Sequence, residues 1–258
     1  METEVLFNFT MHFMLILIRI AAIFTFSPVF GRRNVPAMFK IGFSVMLSLI
    51  LYNLFPAPSN QVFNLYAYTI SCLKEMFVGL LIGYVTVMVF SVANMAGQLI
   101  DVQIGFGMAQ LFSHEMGTQV SINANLLNIV MLICFFITNG HHALIRILAN
   151  TFYTLPPGNF TINFDMTGVI VSVFVSCIVM GVQIAMPIVA ATFITEMIMG
   201  ILMRTVPQMN MFIIGIPLKV IIGLLLLVLI SPMFVQMTQP LFNTMYDSIN
   251  ELLGGVAA

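Results

Sequence analysis

Six apolar runs, at about residues 9–30, 37–55, 66–96, 122–139, 168–203 and 211–240, leave this chain of 258 residues few ways to fold. A helix needs about 20 apolar residues to cross the hydrocarbon core of a bilayer. In lipid a helix satisfies its own backbone polar groups, so it is the default spanning structure. The alternating ten-residue pattern of a membrane barrel is absent from the sequence. The chain therefore reads as an all-α integral membrane protein with about six long apolar helices. Charge agrees, since only 7% of residues are charged against about 25% in a soluble domain. The net charge of −1 leaves no footprint for nucleic acid.

Turn residues separate the runs. The segments "SPVFGRRNVP", "FPAPSNQ", "NGHH", "TLPPGNFTINFD" and "RTVPQMN" carry the Pro, Gly and Asn of loops. A weaker segment lies around 141–153. Pro187 interrupts the fifth run and Pro232 the sixth, and both predict kinks. The start, "METEVLFNFT", lacks the basic region of a cleaved signal. It reads as an uncleaved first membrane segment. Arg32, Arg33 and Lys40, and later Arg204 and Lys219, fall on the cytoplasmic side by the positive-inside rule. Six crossings would then put both termini outside.

Small residues recur at helical spacing. Gly79 and Gly83, Ala93 and Gly97, and Gly181 and Ala185 are each four apart. Such pairs let helix backbones approach closely, within a chain or between chains. These six positions are expected to lie mostly at close helix contacts, within the chain or against partners.

Enzyme chemistry is missing. "HEMGT" at His114 opens like a zinc-protease motif, but Thr118 stands where the second His is required. No GxSxG elbow surrounds Ser44. Cys72, Cys134 and Cys177 are isolated in apolar runs, with no CxxC pair. His141 and His142 are adjacent and cannot ligate a metal from one helix face. No metal, cofactor or catalytic residue is expected.

One stretch gathers polar residues in an otherwise apolar chain: "GQLIDVQIGFGMAQLFSHEMG", from Gly97 to Gly117. Gln98 lies three residues before Asp101, which predicts one helix face for both; Gln103 comes two residues after it. Ionisable groups inside membranes usually face protein or a water-filled path. Asp101 thus reads in three ways: it ends its helix at the interface, faces a polar path, or anchors the next loop. Gly105 and Gly107 flank Phe106 and free the backbone to turn. Phe106, Met108 and Phe112 are bulky and apolar, and Gln110, His114 and Glu115 tolerate water. Such a loop can close a hole by dewetting it, with Gly117 allowing the return turn. An amphipathic segment lying on the membrane would use the same Phe and Met residues. Methionines, 22 in all, can seal irregular gaps.

"AGQLIDVQIGFGMAQLFS", "RTVPQMNMFIIGIPLKVIIGLLLL" and "FSPVFGRRNVP" resemble the signature regions of the FliR, or T-type, export-gate family of type III secretion. The likeness covers essentially the whole chain and favours the flagellar branch. It implies a non-enzymatic core subunit of the flagellar protein-export gate in the bacterial inner membrane, within the flagellar basal body. Implied partners are FliP-type and FliQ-type subunits in a helical hetero-oligomer, the FlhB-type export switch, rod-proximal flagellar proteins, exported substrates and membrane lipid. The resemblance divides the chain into a P-like portion, 1–167, and a Q-like helical hairpin, 168–258. It makes Gly105 to Gly117 a channel plug, and it turns some apolar runs into bent hairpins rather than simple spans. The turn holding Arg204, Pro207, Gln208 and Asn210 would be a partner-contact loop; a plain connecting turn is the other reading. The alternative function is a secondary transporter or small-solute channel, with Asp101 or Glu196 as the coupled carboxylate. The matching inverted halves common in transporters are not apparent.

Overall fold

The computed structural model describes residues 2–32, 35–55, 65–106, 121–158, 166–205 and 211–257. These residues form seven helices: α1 (Glu2–Phe26), α2 (Ala37–Leu54), α3 (Leu65–Ile104), α4 (Ile122–Ile137), α5 (Gly140–Thr154), α6 (Met166–Thr205) and α7 (Met211–Ala257). Five are long and apolar enough to cross a membrane, or six if the broken pair α4 and α5 counts as one span. The protein is thus an all-α integral membrane protein. The weaker segment around 141–153 is a full helix, α5. Two boundaries also move. Helix α3 continues to Ile104, and α7 continues to Ala257, well beyond the apolar run that ends near 240. The extension of α7 is amphipathic: Met245, Ser248, Ile249, Leu252 and Leu253 are buried while Asp247 and Glu251 are exposed. That spacing is a helical face at i, i+3 and i+4. Helices α6 and α7 continue through Pro187 and Pro232 without a break. Each proline still removes one backbone N–H from its ladder.

The described residues divide into two compact units. The first comprises 1–88, 139–173 and 243–258, and the second 89–138 and 174–242.

In the first unit α1 and α2 are antiparallel neighbours. Phe24, Phe30 and Phe43 pack ring to ring beside the turn that joins them. At the other end Phe9 meets Tyr52, and the His12 ring is 2.9 Å from the Phe55 carbonyl oxygen through Nε2. Helix α3 runs parallel to α1 in a constant register. The Tyr68 hydroxyl donates to Met11 O at 3.2 Å, and the Arg19 guanidinium pairs with Glu75 at 2.5 Å. A Cβ on Gly79 would stand 2.5 Å from Arg19 O and 2.7 Å from the Ala22 Cβ, and one on Gly83 2.9 Å from the Phe26 Cβ. The Tyr68–Met11, Gly79–Ala22 and Gly83–Phe26 partners differ by 57 residues and the Arg19–Glu75 partners by 56. The two glycines are the groove into which α1 fits.

In the second unit α3 and α4 are antiparallel, and their closest approach is backbone to backbone. A Cβ on Gly97 would collide with the main chain of Ala124. Ala93 and Ala185 are fully or almost fully buried, and a Cβ on Gly181 would meet the Met95 side chain at 3.2 Å. The four glycines of these pairs thus sit at tight helix contacts, and the two alanines are buried. Gly223, against Ile104, is a fifth. Phe90, Phe135 and Phe242 form the aromatic centre of this unit. Helices α6 and α7 form an antiparallel hairpin: Glu196 pairs with Lys219 near the turn, and Met180, Gln183 and Ile184 line a 160 Å³ cavity with Met237, Pro240 and Leu241 farther down.

Candidate functional site

The polar stretch begins inside a helix. Asp101 lies in the last turns of α3 and is fully buried. Its partners lie twenty and twenty-two positions farther along the chain. The Ser121 hydroxyl donates to one carboxylate oxygen. The Asn123 side-chain amide donates to the other at 2.6 Å, and the Asn123 backbone N–H reaches the same oxygen at 3.4 Å. Ser121 is also the N-cap of α4, accepting from the Ala124 N–H at 3.2 Å. A carboxylate there satisfies orphan N-terminal donors and complements the positive end of the helix dipole.

Seven residues earlier on α3, Asn94 accepts from the Asn128 amide at 3.0 Å. Gly97 lies between the two polar contacts. The α3–α4 seam is therefore polar, backbone-close and polar again over two turns of helix. Charge-assisted and amide bonds of this kind fix register where apolar contacts alone would slide. Asp101 thus joins the last turns of α3 to the start of α4.

The neighbouring positions behave differently. Gln98, expected to share a face with Asp101, is exposed, and Gln103 is half-buried. Three residues amount to about 300° of helical rotation, and the 60° shortfall carries Gln98 out of the α3–α4 contact. Ser121 and Asn123 take the place expected for the glutamines. Gly105 accepts φ +100 and donates its N–H to Asp101 O at 3.2 Å, and Phe106 is half-buried. Gly107, Met108, Gln110, Phe112, His114, Glu115 and Gly117 lie outside the described residues. So do Pro207, Gln208 and Asn210, while Arg204 is exposed in the last turn of α6.

Sequence reading missed a second polar centre. Arg19 and Glu75 are both fully buried. The Arg19 Nε–H donates to Glu75 at 2.5 Å, and Nη1 donates to Thr151 O at 3.1 Å and Thr151 Oγ1 at 3.0 Å. Nη2 donates to Leu155 O at 3.0 Å, and the Phe152 ring lies 4.3 Å from the guanidinium carbon. The other Glu75 oxygen accepts from the Gly158 N–H at 2.9 Å. One detectable cue existed: a single charge in the middle of an apolar run is costly and needs a partner.

Among the described residues, no three His, Cys, Asp or Glu side chains are grouped to hold a metal ion. The arrangement orients helices and the chain segment between them. It offers no nucleophile beside a base.

Comparison with known proteins decides the family. The family described as bacterial export proteins, family 1, matches residues 10–245. The chain belongs to that family. Among export-family relatives, the flagellar biosynthetic protein FliR of Bacillus subtilis (strain 168) is 32% identical over 211 residues, 81% of each chain. FliR of Escherichia coli (strain K12) is 27% identical over 202 residues, 78% of this chain and 77% of that one. The Yop proteins translocation protein T of Yersinia pestis is 27% identical over 210 residues, 80% of each. Within the export-family match lie both polar centres, from Arg19 through Asn128 to Leu155.

Proposed function

We propose that this chain is a non-enzymatic core subunit of the flagellar type III protein-export gate, where it helps form and seal the channel for unfolded flagellar proteins. The family match over residues 10–245, with FliR of Bacillus subtilis 32% identical over 81% of the chain, carries this reading. The flagellar relative is the more similar one, since the Yersinia protein is 27% identical. The gate would assemble in the bacterial inner membrane, within the flagellar basal body, from this chain and FliP-type and FliQ-type subunits. Residues 1–167 would be the P-like portion and 168–258 the Q-like hairpin.

Exposed apolar side chains support a partner-covered surface. On α6 they run from Val171 to Leu202, about 47 Å at 1.5 Å per residue. A hydrocarbon core about 30 Å thick covers only part of such a stripe.

Residues Gly105 to Gly117 would form the plug, with Phe106, Met108 and Phe112 as the seal and Asp101 as its anchor. The clasp from Asp101 to Ser121 and Asn123 supports this role, because it pins both feet of the intervening segment to one carboxylate. The turn with Arg204, Pro207, Gln208 and Asn210 would dock the FlhB-type switch or a neighbouring gate subunit. The transporter alternative loses ground, because both of its candidate carboxylates are already engaged, Asp101 by Ser121 and Asn123 and Glu196 by Lys219.

Co-purification tests the reading. A gate subunit comes out in fixed stoichiometry with P- and Q-type proteins. A chain that is stable alone, or only as a homo-oligomer, overturns it. Shortening the loop between Gly107 and Gly117 tests the plug. An assembled complex that leaks ions or small solutes supports it, and an assembled complex with unchanged permeability rejects it.

A further inference from the structure

Arg19 stands near the middle of an apolar helix. The span Leu6–Phe26 has its midpoint at residue 16, so Arg19 is three residues, or about 4.5 Å, from it. Guanidinium does not lose its proton in proteins. Every acceptor described for it lies far downstream: Glu75 is 56 residues later, Thr151 132 and Leu155 136. Helix α1 is therefore complete well before Glu75 can neutralise that charge.

The geometry ranks those acceptors. Glu75 comes from α3, which lies against α1 in parallel register through Gly79 and Gly83. It supplies the only carboxylate described on Arg19. Thr151 and Leu155 supply neutral carbonyl and hydroxyl oxygens from the end of α5. Neutralising the charge and completing its hydrogen bonds are thus separate events in chain order.

We propose that the Arg19–Glu75 pair is an insertion clamp: α1 settles across the membrane as a pair with α3, and the spare donors of Arg19 then capture the C-terminal end of α5. The Gly158 N–H, donated to the second Glu75 oxygen, closes the same site from the turn after α5. Glu75 is the component that makes α1 acceptable to lipid, and the α5 carbonyls complete the fold. Acid–base chemistry makes the pair asymmetric. Guanidinium keeps its charge in any protein environment, whereas carboxyl groups as a class also exist in a neutral form.

The test uses the full chain in its own host, with Cys72, Cys134 and Cys177 replaced by Ser and one thiol introduced as Arg32→Cys. A membrane-impermeant maleimide reports the side on which residue 32 lies. Glu75→Leu should lower the correctly oriented population at least about tenfold, as expected of an arginine near mid-membrane that has lost its carboxylate. Arg19→Leu should orient like the parent. The double variant Arg19→Leu/Glu75→Leu should restore the parent orientation, which separates a bare charge from a mere packing defect. Parent-like orientation of Glu75→Leu overturns the clamp. So does a double variant as poorly oriented as Glu75→Leu, or an Arg19→Leu variant worse than it. Thr151→Val removes one neutral acceptor, and it should leave orientation intact while lowering the thermal midpoint of the purified protein. Misorientation of Thr151→Val would overturn the order of events.

Discussion

The Ser121 hydroxyl donates to the Asp101 carboxylate across twenty residues of sequence, and the same hydroxyl caps α4 by accepting the Ala124 N–H. One hydroxyl thus joins the end of α3 to the start of α4. Removing the acceptor should hurt more than altering it. Asp101→Ala leaves the buried Asn123 amide and the half-buried Ser121 hydroxyl without their acceptor, at a cost of about 1–3 kcal/mol. Asp101→Asn keeps an acceptor oxygen and should cost less than half as much. Thermal unfolding of the detergent-purified protein ranks the two, and equal loss in both would contradict the clasp.

Gly97 has no room for a side chain, because a Cβ would strike the Ala124 backbone. Backbone moves less readily than a flexible side chain. Gly97→Ala should cost about 1–3 kcal/mol by overpacking. Gly42, whose Cβ would meet nothing within 4 Å, is the control. Gly42→Ala should be neutral or stabilising by up to about 1 kcal/mol, from helix propensity. Recovery of folded protein and its thermal midpoint measure both.

Asn139 is the only described non-glycine residue with positive φ, at 57°, and it stands between α4 and α5. Asn139→Gly should be nearly neutral. Asn139→Val should cost on the order of 1–2 kcal/mol, because a β-branched side chain resists the left-handed region. A harmless valine would show that the turn relaxes to another backbone path.

Lys219 and Glu196 tie the two arms of the α6–α7 hairpin. The pair is part-exposed, so Lys219→Ala should cost on the order of 1 kcal/mol. The exchange Lys219→Glu/Glu196→Lys should recover most of it. Proteolytic resistance of the hairpin is the readout, and an exchange no better than the single change would argue against a direct charge interaction.

Cysteines placed at Gln208 and Asn210 should crosslink to another chain of the export gate. Crosslinks confined to this subunit would leave the turn as a plain connection.

Much of this architecture was legible in the sequence. Apolar length gave the helices, because lipid leaves the backbone no other option. The spacing of Gly79, Gly83 and Gly97 found the tight contacts, because close approach of backbones has a local signature. The ends of α3 and α7 were less visible. Apolar runs stop where burial in lipid stops, but a helix buried against its own chain continues, as the amphipathic face from Met245 to Leu253 does. Asp101 was visible as an anomaly, yet its partners Ser121 and Asn123 were not. Nothing in local spacing says which distant residue meets a carboxylate. Arg19 and Glu75 each lay in plain view, and only the fold makes them one site.

Gly97 within α3 and Gly105 just past its end stand eight residues apart, and they exclude side chains for opposite reasons. At Gly97 the obstacle is matter: the neighbouring main chain fills the space. At Gly105 a Cβ would meet no atom of the described residues within 4 Å. The obstacle there is chirality, because φ +100 suits the mirror image of a natural residue. A protein made by semisynthesis would separate them. D-alanine should be accepted at position 105 and refused at 97, although L-alanine is unwelcome at both.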